Sequence, residues 1–348
     1  PRDNNRFPVS FSQQRLWFLD LMEPGNTIYN LPMAVRVKGA LDEPALQASL
    51  RQLFQRHESL RTIFDTQDDR PVQVILDARY PAQLPYESHD LTQIPVDKKE
   101  EEAVRFAEKL LARPFNLSAG PLMRVHRINL EENDCIILLA MHHIVSDGWS
   151  MGVLVEEFLS QYQAVVTQTP IPLPPLIIQY PDYAVWQQNF FQGNRLEKQL
   201  HYWVQRLEGA PSLLELPTDF PRSMNYSNDG GQFTFFVNEE TTTRLRQLCQ
   251  LEGVTMFQAM ITAFYILLNR YSGQFDINLG TPIANRSRLE LERLIGFLVN
   301  TLVLRTDFSG NLSFRQALHR VQETTMGAFE NPDLPFEMLV DKLQPERE

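Results

Sequence analysis

Cysteine is nearly absent: the 348-residue chain has only Cys135 and Cys249. Two cysteines build no disulfide framework and offer no metal-ligand spacing. Cys135 lies inside an apolar run and reads as a small packed hydrophobe, so a reducing, cytoplasmic compartment is expected. No stretch reaches the ~18–20 apolar residues of a membrane span. The longest runs, "IILLAM" and "AFYILL", are core-sized. The opening "PRDNNRFPVS" lacks the apolar stretch of a signal peptide. Basic residues are outnumbered, 32 against 43 acidic, for a formal net charge of −11, which argues against nucleic-acid binding. There is no Gly-x-Ser-x-Gly and no reactive-cysteine signature. An acyl transferase built on this chain would have to take its nucleophile from the substrate. Short-period repeats and low-complexity tracts are missing too.

What is present is the balance of a soluble globular protein: 43% hydrophobic and 22% charged residues. The length allows two ordinary domains or one large one. Pro170, Pro172, Pro174 and Pro175 make 167–179 an extended linker. The division expected from it is 1–175 and 176–348. Asp42, with Pro44 in the first turn, predicts a helix whose apolar face holds Leu46, Leu50, Leu53 and Phe54. "SLRTIF" (59–64) follows as a strand, and 98–112 as an amphipathic helix with a solvated first turn. Farther on, Thr255 precedes a buried helix ending at Ser272–Gly273. "QFDINLGTPI" and "GFLVNTLVLRTD" (296–307) read as strands, and Ser313 caps a further helix. Helices and strands mix without strict alternation, so the expected class is a two-lobed α/β or α+β enzyme.

The most informative stretch is 141–150, "MHHIVSDGWS". The run before it, 135–141, is apolar on both faces, as in a strand buried inside a sheet. Strand alternation sends His142 and His143 to opposite sides. With Asp147 as the only further candidate ligand, the set is short for zinc and no metal is expected. Met151, Leu154, Val155, Phe158, Leu159 and Tyr162 then recur at helical spacing, so the unit is strand, turn, helix. A histidine that accepts a proton, beside the unpaired amides of a helix N-terminus, has the parts for acyl transfer. Two hydrogen-bonded core histidines and a capping aspartate fit the same residues, and composition leaves both readings open.

Ordered motifs go further. "FSQQRLWFLD" (11–20), "RHESLRTIF" (56–64), "MHHIVSDGWS", "YPDYAVW" (180–186), "IGFLVNTLVLR" (295–305) and "NPDLPFEMLVDKL" (331–343) resemble, in order, the motifs of nonribosomal peptide synthetase condensation domains. The HHxxxDG core is shared in shorter form by other acyltransferases; the ordered set is more specific. Asn331 stands where the family often has histidine. The chain stops at "LQPERE" before the family's last motif, so the second lobe is expected to be incomplete.

The resemblance implies two chloramphenicol-acetyltransferase-like lobes forming a pseudo-dimer, with an active-site tunnel between them. It implies peptide-bond formation between a donor aminoacyl or peptidyl thioester and the α-amine of an acceptor aminoacyl thioester. Both substrates would arrive on the phosphopantetheine arms of donor and acceptor carrier domains. An adenylation domain would be the neighbour, and the domain itself would bind no cofactor. The run "RLWFLDLMEPGNTIYN" looks more like domains that take L-configured donors. By the same resemblance His143 orients the amine or takes its proton, and His142 is structural. Asp147 holds the turn through an ion pair with Arg61. Gly148 lets the chain turn tightly and brings an amide to the acyl carbonyl. Asn300, Pro282 and Asn285 line the tunnel. Trp17, Phe18, Tyr183 and Trp186 read as core, and Arg286, Arg288 and Arg293 as ion-paired or as facing an acidic carrier. The competing reading is a non-catalytic carrier-docking or recruitment module, or an inactive fragment.

Overall fold

Capping side chains start several of the helices, and among the described residues the strands pair into three sheets. The computed structural model describes residues 5–81, 84–220 and 230–343. Residues 344–348, which carry the "PERE" end, lie outside that range. The chain opens with β1 (Arg6–Pro8) and α1 (Phe11–Met22). A reciprocal box starts α1: the Gln13 amide donates to Ser10 Oγ and the Ser10 amide to Gln13 Oε1. Next come β2 (Asn30–Lys38) and α2 (Glu43–Arg56), the latter capped by Asp42 as expected. A 3-10 turn (Glu58–Arg61) takes up half of the expected "SLRTIF" strand, and β3 runs Thr62–Gln67. There follow β4 (Arg70–Ile75), β5 (Tyr86–Asp90), α3 (Val96–Leu111), β6 (Met123–Glu131), β7 (Asp134–His142) and α4 (Gly148–Thr167). Then come α5 (Tyr180–Phe190), α6 (Asn194–Leu207), α7 (Glu239–Glu252) and α8 (Met256–Ser272). Thr255 caps α8, and Gly273 ends it at φ 73°, the left-handed conformation that favours glycine. The remaining elements are β8 (Asp276–Ile283), α9 (Leu289–Glu292), β9 (Asn300–Asp307), α10 (Phe314–Glu330) and α11 (Phe336–Leu343).

The main sheet has the order β2-β7-β6-β5. β7 runs antiparallel to both neighbours, and β5 forms the edge, parallel to β6. The interior place of β7 explains why "CIILLAM" is apolar on both faces. Leu139 and Met141 pack with Leu50, Leu53 and Phe54 of α2 and Leu154 of α4 in one core cluster. β1-β4-β3 and β8-β9 form the smaller sheets.

Contacts divide the chain into two compact units, drawn differently from the expected 1–175 and 176–348. The first unit joins the chain through Gln192 to the returning segment Ala284–Val299; the second holds Gly193–Ile283 and Asn300 onward. Packing explains the difference. Tyr180 and Tyr183 of α5 form a buried cluster with Leu291, Leu294 and Leu298, which keeps both segments with the first unit. For the same reason 296–299 is not strand, although its composition suggests it; β9 begins only at Asn300. The second unit's core gathers Trp203, Tyr265, Leu302, Leu304 and Val321 between α6, α8, α10 and the β8–β9 pair.

Candidate active site

β7 delivers His142 and stops, and His143 opens a 3-10 turn (His143–Val145). Strand parity therefore does not separate the two rings; the end of the strand does. His142 is buried between the rings of Tyr29 and Phe115, and its Nδ1 accepts from the Ile144 amide at 3.1 Å. Burial, with a smaller contribution from neighbouring His143, lowers its pKa to about 4. It is a neutral structural residue. His143 is partly exposed. Its Nδ1 lies 2.8 Å from the Ser146 carbonyl. A carbonyl only accepts, so Nδ1 carries a proton, and in the neutral tautomer this selects, Nε2 is the acceptor. The Phe297 ring meets the imidazole edge to face, with centroids 4.6 Å apart.

Asp147 caps α4 and is fully buried. Its Oδ1 accepts from the Ser150 amide at 2.8 Å and from Ser150 Oγ at 2.7 Å, and its Oδ2 from the Leu298 amide at 3.1 Å. The cation beside it corrects the expectation. Arg286 donates to Oδ1 at 2.8 Å, with both side chains almost wholly out of solvent. Arg61 instead faces Glu58 at 3.6 Å and donates to the Leu76 carbonyl. Arg286 also donates to Ser150 Oγ and to the Leu291 carbonyl, both at 2.8 Å. One arginine thus joins the N-terminus of α4 to the returning segment.

That segment is held from behind as well. The Tyr180 hydroxyl donates to the Phe297 carbonyl at 2.7 Å and accepts from Ser10 Oγ at 2.9 Å. Burial pushes the phenol well above its ordinary pKa, so it remains a donor. A Cβ on Gly296 would lie 1.9 Å from the Tyr180 ring, so glycine is required for this close approach. Gln13 donates to the Ile144 carbonyl at 3.1 Å, fixing the histidine turn to α1. Four of the sequence motifs therefore meet in one hydrogen-bonded frame around His143.

Other expected residues take different places. Gly148 is exposed, has no left-handed φ, and a Cβ there would meet nothing within 4 Å. A tight turn is not what demands glycine at this position. The Gly148 and Trp149 amides have no hydrogen-bond partner among the described residues, as expected for the first turn of a helix. Asn300, expected to line a tunnel, is buried in the second unit. Its Nδ2 donates to the Pro332 and Leu334 carbonyls and its Oδ1 accepts from the Phe336 amide, which uses both of its N–H donors inside the unit. Pro282 is an exposed β8 residue paired with Thr301. Asn285 sits at φ 53°, a left-handed conformation asparagine tolerates, immediately before Arg286. Phe18, read as core, is 56% exposed. Arg293 pairs with Glu156 at 3.0 Å, and Arg288 lies over the Trp186 ring at 5.0 Å.

Sequence reasoning missed Ser150, Tyr180 and Phe297 as parts of the site and treated Arg286 as a surface or bridging cation or one facing an acidic carrier. The first three lie inside the ordered motifs, so the motifs marked them without stating their roles.

The family model for "Condensation domain" matches residues 3–348. The chain is 48% identical over 340 residues to a linear gramicidin synthase of Brevibacillus parabrevis, covering 98% of this chain and 6% of that protein. It is 41% identical over 347 residues to a phosphinothricin tripeptide synthetase of Streptomyces viridochromogenes, covering 100% of this chain and 32% of that protein. The chain thus spans a small part of the length of these relatives. Among solved structures it is similar to the X-domain from teicoplanin biosynthesis, with TM-score 0.88, 28% identity and coverage of 100% of this chain and 76% of that one. It is also similar to a four-domain nonribosomal peptide synthetase bound to AMP and glycine, with TM-score 0.87, 25% identity and coverage of 98% and 25%.

Proposed function

The chain belongs to the condensation-domain family, and on that premise we propose that His143 is where an acyl thioester meets an amine. The domain is an amide-forming acyltransferase of a nonribosomal peptide synthetase. A donor aminoacyl or peptidyl thioester and an acceptor aminoacyl thioester arrive on the phosphopantetheine arms of two carrier domains. The acceptor α-amine attacks the thioester carbonyl, the C–N bond forms, the C–S bond breaks and the thiolate leaves. The amine nitrogen loses one proton. The observation that carries this reading is the Nδ1 contact of His143: Nδ1–H is committed to the Ser146 carbonyl, so in the neutral ring Nε2 is the acceptor. A free α-amine has a pKa of about 7.7–8.0, so a weak base is enough. Nε2 holds the amine in attack geometry and takes or relays its proton. Asp147, Arg286 and Tyr180 act through the backbone that positions His143 and the α4 N-terminus.

A recruitment role is the second reading. It is favoured by the likeness to the X-domain, which another structure holds in a complex with OxyB. The test uses two loaded carriers, an L- or D-configured donor, and intact-protein mass spectrometry of both carriers. We expect product from the L-donor and a loss of about 10²-fold or more in His143→Ala. Carrier binding without product in the parent chain, within its full synthetase, would favour recruitment. Product at an unchanged rate in His143→Ala would remove His143 from the chemistry.

A further inference from the structure

A second histidine cluster lies apart from the candidate active site, on the edge pair β5–β6. In "YESHD", Glu87 and His89 are two residues apart on a strand, so they share one face. The parallel register sets His126 of β6 directly opposite Glu87. The three side chains converge. His89 Nε2 lies 3.2 Å from His126 Nδ1, and Glu87 Oε2 lies 3.5 Å from each of those nitrogens. A tetrahedral zinc ion with bonds of about 2.0–2.1 Å separates its ligand atoms by roughly 3.3–3.4 Å. The three atoms therefore form one face of such a tetrahedron before any side chain moves.

We propose that Glu87, His89 and His126 bind a divalent transition-metal ion of the zinc type, clipping edge strand β5 to β6. Two imidazoles and one carboxylate are a donor set for zinc and its neighbours, not for magnesium or calcium. The fourth position faces solvent, because the Glu87 side chain is half exposed while His126 is buried. Burial lowers both imidazoles below their ordinary pKa, His126 to about 4, so both rings are neutral at neutral pH; the proton of the His89 Nε2–His126 Nδ1 hydrogen bond moves to its ring's other nitrogen when the ion binds. The ring of His89 is braced edge to face by Phe106 of α3 at 4.9 Å, which fixes its orientation. Arg113, 3.7 Å from Glu87 and itself half exposed, is the competing partner that the ion displaces.

The test strips the purified chain with a chelator and titrates it with Co²⁺, followed by visible absorption, then competes with Zn²⁺. We expect one saturable equivalent with a tetrahedral cobalt spectrum. Glu87→Gln and His89→Gln each weaken it at least about ten-fold, and His143→Ala leaves it unchanged. Zinc raises the thermal midpoint of the parent chain and not that of His89→Gln. Glu87 and His89 both reach solvent, so their variants keep the fold, which circular dichroism verifies. No saturable cobalt binding, or binding that survives His89→Gln, overturns the proposal. So does binding lost in His143→Ala alone, which would put the metal at the other histidine pair.

Discussion

Asp147 and Glu157 are carboxylates on the same helix, both without solvent exposure, and they are neutralised in different ways. Asp147 takes its cation from Arg286 and a further amide from Leu298, both on the segment that returns after β8. Glu157 takes its hydrogen bonds from α2 and its cap, Arg56 Nε at 2.9 Å and His57 Nε2 at 2.7 Å, with Arg293 of the returning segment only at 4.0 Å. Burial opposes ionisation of Glu157, but these hydrogen bonds and charges outweigh it and hold its carboxyl below the ordinary range. Asp147 therefore couples the histidine turn to a distant segment by hydrogen-bonded contacts, whereas the hydrogen bonds of Glu157 lock two scaffold helices. Equal burial on one helix can serve the site in one case and the framework in the other.

The largest effect is expected at Asp147. Asp147→Ala leaves Arg286 buried without its counter-charge, which costs about 3–5 kcal/mol and removes condensation activity. The informative measurement is a pair of double-mutant cycles by denaturant unfolding. Asp147→Ala with Arg286→Ala should be strongly non-additive, while Asp147→Ala with Arg61→Ala should add within about 0.5 kcal/mol. Coupling to Arg61 and not to Arg286 would reverse the assignment.

Glu157→Gln comes next. It leaves Arg56, which is partly exposed, without its counter-charge and weakens the buried contact to His57, so the loss should be about 3 kcal/mol. Per folded molecule, the condensation rate should stay within a few-fold of the parent. A rate that collapses at a temperature where circular dichroism shows native protein would erase the distinction between the two carboxylates.

These two residues also mark what sequence could reveal. Asp147 was legible as a helix cap because capping is local: a short acid before a helix, with its amide donor three residues on. Its partner was not legible, because nothing local says which of several arginines comes back to it across the chain. Asn285, left-handed and immediately before Arg286, becomes a signal only once the fold is known. Asn300 shows the opposite error. Its place in a motif suggested a ligand contact, yet it is buried and both its amide N–H groups are taken by the 332–336 loop. The helix starts at Asp42, Thr255 and Ser313 and the interior strand β7 followed from local chemistry. The division into units did not, because it rests on Tyr180 and Tyr183 packing against residues more than a hundred positions away.

A smaller effect tests the contrast between the two adjacent histidines. With a folded-state pKa of about 4 against roughly 6.5 when unfolded, the unfolded chain takes up a proton on His142 before the folded one does. This contribution is flat above about pH 6.5. Stability falls as the pH drops below that value and levels off below about pH 4, with about 2 kcal/mol lost by pH 5. His142→Gln should flatten part of the slope in an unfolding series between pH 7 and 5. His143→Ala should leave most of it in place, because burial is the larger cause of the His142 shift. Equal slopes in the parent and His142→Gln would mean that His142 is not the group that titrates.

Gly148 gives the smallest effect on the fold and the finest test of the site. Its backbone conformation is open to any residue, and an added Cβ meets no protein atom. Alanine also suits the first turn of a helix better than glycine, so Gly148→Ala should leave unfolding within about 1 kcal/mol of the parent, toward greater stability. If the space in front of this residue belongs to the thioester, the same methyl group should slow condensation by about ten-fold or more by displacing the acyl carbonyl from the Gly148 and Trp149 amides. A stable variant that condenses at the parent rate would show that the acyl group lies elsewhere. A stable variant that is slow would show that glycine is kept here for the substrate and not for the chain.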